Sequence, residues 1–147
     1  MSCELCDGTG GALVAEFGDF RIVRALNDPD HPYTYRVVAT EHARELNDLA
    51  PFRRRRLADA VSIVEAVLRR ALEPAKINVA SLGNLCPHVH WHVIPRFPDD
   101  RHFPSPVWSA PRREPLQPAP NAESLARSDA AVRGAVGAVF GGAPTHG

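Results

Sequence analysis

Three histidines at two-residue spacing, His88, His90 and His92, alternate with the apolar side chains of Val89, Trp91 and Val93 and run on into Ile94, Pro95 and Arg96. In an extended strand, residues two apart share a face. The three imidazoles are therefore expected in one row, with Val89, Trp91 and Val93 on the opposite side. Imidazole buries well only when its ring nitrogens find partners, so a row of three in strict register implies use. Two kinds of chemistry fit it. Alternate neutral imidazoles can hold a catalytic zinc whose bound hydroxide is the reagent. Alternatively, one imidazole attacks phosphorus as a nucleophile while its neighbours arrange the phosphate. The Gly83-Asn84 turn just upstream favours phosphorus, because its backbone N–H groups and its amide can contact phosphate oxygens without adding charge. Arg96 stands ready on the other side of the row as a further phosphate contact.

The elements that must position this row are short strands and one long helix. Residues 12–15, 20–24, 35–39 and 77–80 alternate or cluster apolar side chains in strand fashion, broken by turn material at Gly18-Asp19 and by a proline-bearing loop from Asn27 to Pro32. The hairpin from residue 12 to 24 is expected to have one solvated face. Residues 52–72 carry Leu57, Ala60, Val61, Val64, Val67, Leu68, Ala71 and Leu72 at helical spacing, with Asp48 as a candidate cap, Pro51 in the first turn and Pro74 beyond the end. The run Arg53-Arg54-Arg55-Arg56 covers about one turn of that helix and is read as a solvated face, although cations near a helix N-terminus oppose its dipole. Proline recurs from Pro104 to Pro120, reading as an extended arm. A second helix is predicted over 122–140, capped by Asn121, with Leu125, Val132, Val136, Val139 and Phe140 on its apolar side.

A chain of 147 residues suits a single hydrophobic core. Its 17 basic and 17 acidic side chains cancel, so no overall field favours nucleic acid or an anionic membrane. No apolar run is long enough to span a bilayer, and Met1 to Cys6 has neither the basic start nor the apolar stretch of a signal peptide, which points to the cytoplasm. In that reducing setting Cys3 and Cys6 read as metal ligands or a redox pair, not as part of a disulfide framework. Cys86 reads as a small buried residue, and His31, His102 and His146 as surface histidines.

Residues 88–94 match every position of the pattern His-φ-His-φ-His-φ-φ, with φ apolar. In this the chain resembles the histidine triad family of nucleotide hydrolases and transferases. Pro95-Arg96, the Gly83-Asn84 turn and the order of strands and helix from residue 12 to 96 extend the likeness. The resemblance implies an α+β, HIT-like fold: a small antiparallel sheet of about five strands with one long helix packed on it and a C-terminal arm and helix. Residues 1–110 form the histidine triad domain in this reading, and 111–147 a Pro/Ala-rich arm and short helix. By the same resemblance His90 is the nucleophile on the α-phosphorus of a nucleotide, with its second ring nitrogen bound to a carbonyl near His88, and His92 is a donor to the phosphate or leaving group. Asn27 or Asp28 would meet the ribose, and Asn84 and Arg96 the phosphate. Cys3, Cys6, His42 and His88 occupy the places of a structural zinc site in some members. The expected substrates are diadenosine polyphosphates, nucleoside phosphoramidates and similar AMP derivatives, with no organic cofactor and a homodimer as the assembly. Many members have glutamine and a hydroxyl residue where this chain has Asn84 and Leu85, so that one phosphate contact is absent or supplied by Ser81. Members often carry histidine in the strand that here begins Tyr33-Thr34-Tyr35. These departures motivate an alternative, a nucleotide-binding module with little catalysis.

Overall fold

The computed structural model describes residues 2–141. Its strands are β1 (Ala12–Glu16), β2 (Phe20–Arg24), β3 (Tyr35–Ala39), β4 (Lys76–Ala80) and β5 (His90–Arg96). They form one antiparallel sheet in the order β1-β2-β3-β5-β4, in an α+β architecture with helices α1 (Glu4–Asp7), α2 (Pro51–Leu72) and α3 (Ala122–Phe140). Because β5 inserts between β3 and β4, the histidine strand is held by backbone hydrogen bonds along both edges.

Side-chain alternation divides the sheet into two faces. One carries Phe20, Ile22, Tyr35, Val37, Ala39, Val89 and Val93, which pack with Leu57, Ala60, Val64 and Leu68 of α2 and with Val132 and Val136 of α3. Each leucine or valine buried there contributes about 1.5–3 kcal/mol by leaving water. The other face carries Arg21, Val23, Arg36, Val38, His90 and His92, the residues one step out of phase with the core set. Leu5 of α1 covers Val23 and Val38 on this side. The buried Arg21 guanidinium anchors the N-terminal segment by donating to the carbonyls of Leu5 at 2.6 Å, Gly8 at 3.0 Å and Thr9 at 2.9 Å. The solvated hairpin face expected from the sequence is thus covered by the chain's own N-terminus.

Pro51 opens α2 where its missing N–H has no intrahelical partner anyway. Asp48 does not cap α2. It pairs instead with Glu45 in a capping box around the 3-10 turn Leu46–Asp48, and Ala50 occupies the cap position. The arginine run is also more than a solvated face. Arg53 pairs with Glu41, Arg54 donates to Asn47 Oδ1 at 2.9 Å, and Arg56 grips Asp19 at 2.7 and 3.0 Å while lying 4.8 Å from the Phe140 ring centre. These partners answer the unfavourable position of cations at a helix N-terminus. Helix α3 is capped as expected by Asn121, whose side chain accepts from the Ser124 N–H at 2.8 Å. It is stitched to the sheet by Tyr35, whose hydroxyl lies 2.6 Å from Asp129 and 2.8 Å from Ser128 Oγ, and by the Arg24–Asp129 ion pair at 2.9 Å.

Candidate active site and metal centre

In β5, His90 stands opposite Val38 and His92 opposite Arg36. His88 precedes the strand, with its N–H turned to the Cys86 carbonyl at 2.8 Å. His88 and His90 are both oriented by backbone carbonyls. His90 Nδ1 lies 2.6 Å from the His88 carbonyl, and His88 Nε2 lies 2.6 Å from the Ala39 carbonyl. A carbonyl only accepts, so each of these nitrogens carries the ring proton. His90 therefore has its lone pair on Nε2, and His88 has its own on Nδ1. The His90 carbonyl in turn accepts from Ser81 Oγ at 2.7 Å, which takes that hydroxyl out of play as a phosphate contact.

His90 and His92 line a cavity of about 390 Å³ together with Asn27, Arg36, Gly83, Asn84 and Trp108. Their rings meet edge to face, with centroids 4.9 Å apart, and Trp108 meets His92 in the same manner at 5.3 Å. Burial pushes the His90 imidazole below its ordinary range against the opposing pull of the His88 carbonyl, and the Arg36 charge adds to the lowering. Burial, His90 and Arg36 together hold His92 at about 4. Both rings are neutral at pH 7, the state in which an imidazole has a lone pair to offer. Gly83 adopts φ +79°, which the turn beside the cavity requires and which L side chains rarely adopt.

Of the residues expected to bind substrate, Asn27 and Asn84 reach this cavity and Arg96 does not. Arg96 is buried, and its guanidinium grips Asp100 at 2.8 and 3.1 Å, Asn78 at 2.7 Å and the Ser105 carbonyl at 2.8 Å. Every arm of the group is committed inside the fold, so its role is to hold the segment after β5. Asp28 faces His31 at 2.9 Å. Arg36 and Trp108 are cavity residues that sequence reasoning missed. Arg36 donates to Asn27 Oδ1 and to the Gly10 carbonyl, each at 2.8 Å. Its position one step out of phase with Tyr35 and Val37 was a usable signal, but only with the β3–β5 pairing in hand.

Cys3, Cys6, His42 and His88 converge so that one ligand atom from each lies within 4.8 Å of the others. His88 Nδ1 is 3.3 Å from Cys3 Sγ, 3.5 Å from Cys6 Sγ and 3.2 Å from His42 Nδ1, and Cys6 Sγ is 3.3 Å from His42 Nδ1. Ligands at zinc bond lengths on a tetrahedron are about 3.3–3.8 Å apart, so the donor set fits that ion. Desolvation opposes ionisation of Cys3, but hydrogen bonds from the Cys6 N–H and the Cys6 thiol outweigh it and hold Cys3 at about 6. Desolvation and the adjacent Cys3 sulfur push Cys6 up. Cys86 Sγ lies 3.8 Å from Cys3 Sγ, beside the cluster and partly buried. Among the described residues the other group spaced for a metal is His31, Asp100 and His102, and neither group includes His90 or His92. The histidine row therefore does not converge on one ion. His31 and His102 are buried, not at the surface as expected, because they pack on each other beneath the loop and the arm; His146 lies outside the described residues.

The family model of the HIT domain matches residues 11–99. No curated protein matches the chain. Among solved structures, a histidine triad protein of Bradyrhizobium japonicum is similar at 26% identity and a TM-score of 0.73, over 87% of this chain and 92% of that one. A histidine triad protein of Sinorhizobium meliloti is 26% identical with a TM-score of 0.72, over 92% and 96%. A zinc-bound histidine triad protein of Mycobacterium smegmatis shares the fold at 20% identity and a TM-score of 0.63, over 97% and 99%.

Proposed function

We propose a function from one premise, that the chain belongs to the HIT domain family of histidine triad proteins: it is a nucleotide hydrolase that works through a nucleotidyl intermediate on His90. Family membership supports nucleotide binding or hydrolysis in general. The observation that carries the finer reading is the 2.6 Å bond from His90 Nδ1–H to the His88 carbonyl, which leaves Nε2 as the nucleophilic nitrogen of a ring that lines the cavity.

In this mechanism the Nε2 lone pair attacks the α-phosphorus of a diadenosine polyphosphate, a nucleoside phosphoramidate or a related AMP derivative. A P–N bond forms as the bond from phosphorus to the leaving oxygen or nitrogen breaks. The ring then bears positive charge, which the His88 carbonyl stabilises through the Nδ1 proton. His92 donates its single N–H to the phosphate or to the departing group, and Asn84 with the Gly83 turn holds phosphate oxygens. Water then attacks phosphorus and the P–N bond breaks, its electron pair returning to Nε2 so that His90 is neutral again; the proton shed by water balances the one carried off by the departing group, and the nucleotide leaves. Asn27, its amide oriented by Arg36, would meet the ribose hydroxyls. Cys3, Cys6, His42 and His88 would hold a structural zinc, which supplies rigidity to the turn that presents His90. The protein works as a homodimer, as the resemblance implies; among the described residues no helix is long and apolar enough to cross a membrane.

The test is turnover of a panel of dinucleoside polyphosphates and phosphoramidates by the wild type and by His90→Ala. Turnover should fall by ~10³-fold or more in the variant with an unchanged circular dichroism spectrum, and acid-quenched wild type should carry a nucleotidyl adduct on His90 by mass spectrometry. Retained turnover in His90→Ala would end the proposal. Binding of AMP by the wild type with no hydrolysis across the panel would favour the binding-module reading.

A further inference from the structure

The loop that carries Asn27 and the segment that follows β5 meet at three buried side chains, His31 at 4% exposure, Asp100 at 2% and His102 at 6%. Two of their nitrogens, His31 Nε2 and His102 Nδ1, are buried without a hydrogen-bond partner. A buried polar atom in that state costs about 1–3 kcal/mol, and two at one point call for an explanation.

The tautomer of His31 sharpens the problem. His31 Nδ1 lies 2.9 Å from Asp28 Oδ2. A carboxylate only accepts, so Nδ1 carries the proton, and in the neutral ring the lone pair sits on Nε2. That lone pair faces Asp100 Oδ1 at 3.6 Å. Two acceptors are thus opposed with no hydrogen between them. One extra proton on His31 would relieve this contact but would leave His102 Nδ1 without a partner. A cation relieves all three atoms at once.

We propose that His31 Nε2, Asp100 Oδ1 and His102 Nδ1 form a second metal site, for zinc or a similar first-row divalent ion. One ligand atom from each of the three residues lies within 4.8 Å of those of the other two. Two imidazoles and one carboxylate suit such ions. The Asp28–His31 pair supplies the carboxylate behind a ligating histidine that commonly fixes its tautomer. Asp100 is oriented by Arg96 and by the backbone N–H groups of Phe97, His102 and Phe103. An ion on Oδ1 replaces the longer Arg96 contact, Nη2 at 3.1 Å, and Nη2 keeps the Ser105 carbonyl at 2.8 Å. A cavity of about 570 Å³ with His31 and Asp100 in its wall gives the ion an approach, and waters to complete its shell. The ion ties the loop bearing Asn27 to the segment that leads from β5 to Trp108, and both residues line the cavity that holds His90 and His92.

Metal counting on the full chain tests this without reference to nucleotide chemistry. Metal-free protein is titrated with zinc, and in parallel with cobalt(II), whose bonds to thiolate give a charge-transfer band. Wild type should bind two equivalents, of which one produces the band. His102→Gln should bind one equivalent with the band intact. The Cys3→Ser/Cys6→Ser double variant should also bind one, without the band, and serves if His102→Gln fails to fold. A single equivalent in the wild type, a second equivalent that survives His102→Gln, or no ion in the double variant would overturn the site.

Discussion

Burial in the cavity wall, reinforced by the His90 ring and the Arg36 guanidinium, pushes the His92 imidazole from its usual 6.5 down to about 4. The unfolded chain takes up this proton near 6.5 and the native protein only near 4. Between those values the unfolded state binds more protons, so stability falls as the pH falls. For a single group with these two values the loss is about 0.2 kcal/mol at pH 7 and about 2 kcal/mol at pH 5. The ring is only partly buried, and solvent screening trims the difference between the two pH values to about 1–2 kcal/mol. The perturbation is acidification from pH 7 to pH 5, applied to the wild type and to His92→Gln, with stability read from urea unfolding at each pH. Protonation of cysteines, carboxylates and other histidines is common to both proteins and cancels in the subtraction. The wild type should lose about 1–2 kcal/mol more than the variant. Equal losses, or an NMR titration that places the His92 ring near 6.5, would refute the reasoning.

Three further outcomes are expected. Tyr35→Phe removes the hydroxyl that joins the sheet to Ser128 and Asp129 of α3, and should cost about 1–2 kcal/mol in urea or thermal unfolding. Dialysis of zinc-loaded protein against a chelator should lower Tm by about 5 °C, with recovery on adding zinc; Cys6→Ser should abolish most of that response by calorimetry. Arg36→Met removes a positive charge that depresses both His90 and His92, so the acid limb of the log(kcat/KM) profile should move to higher pH.

Features set by local spacing were legible in the sequence. The helix over 52–72 was visible in its apolar periodicity and is α2, displaced by one residue at its start. The second helix was visible in Asn121 and the apolar set from Leu125 to Phe140, and its bounds are those observed. The alternation in residues 88–94 correctly separated Val89 and Val93, which face the helices, from His90 and His92, which face the cavity. Long-range partners were hidden. Nothing near Arg96 announced that it would be held by Asp100, Asn78 and Ser105, and nothing near His31 announced its burial against His102, because both depend on how the segment after β5 folds back. Arg21 likewise looked solvated until the N-terminal segment lay over it. The convergence of Cys3, Cys6, His42 and His88 came from the family resemblance, since residues 3 and 88 carry no local sign of meeting.

The two faces of the sheet have a practical meaning for changing what this protein acts on. The residues packed against α2 and α3 project from one side of each strand, and Arg36, Asn27, Leu82, Leu85 and Trp108 lie on the other side or in the loops around it. Leu82, Leu85 and Trp108 are exposed, so substituting them removes little packing from the interior. A combinatorial library confined to Leu82, Leu85 and Trp108 would therefore vary the lining of the cavity while most members still fold, so that differences among them in ligand binding report on the cavity.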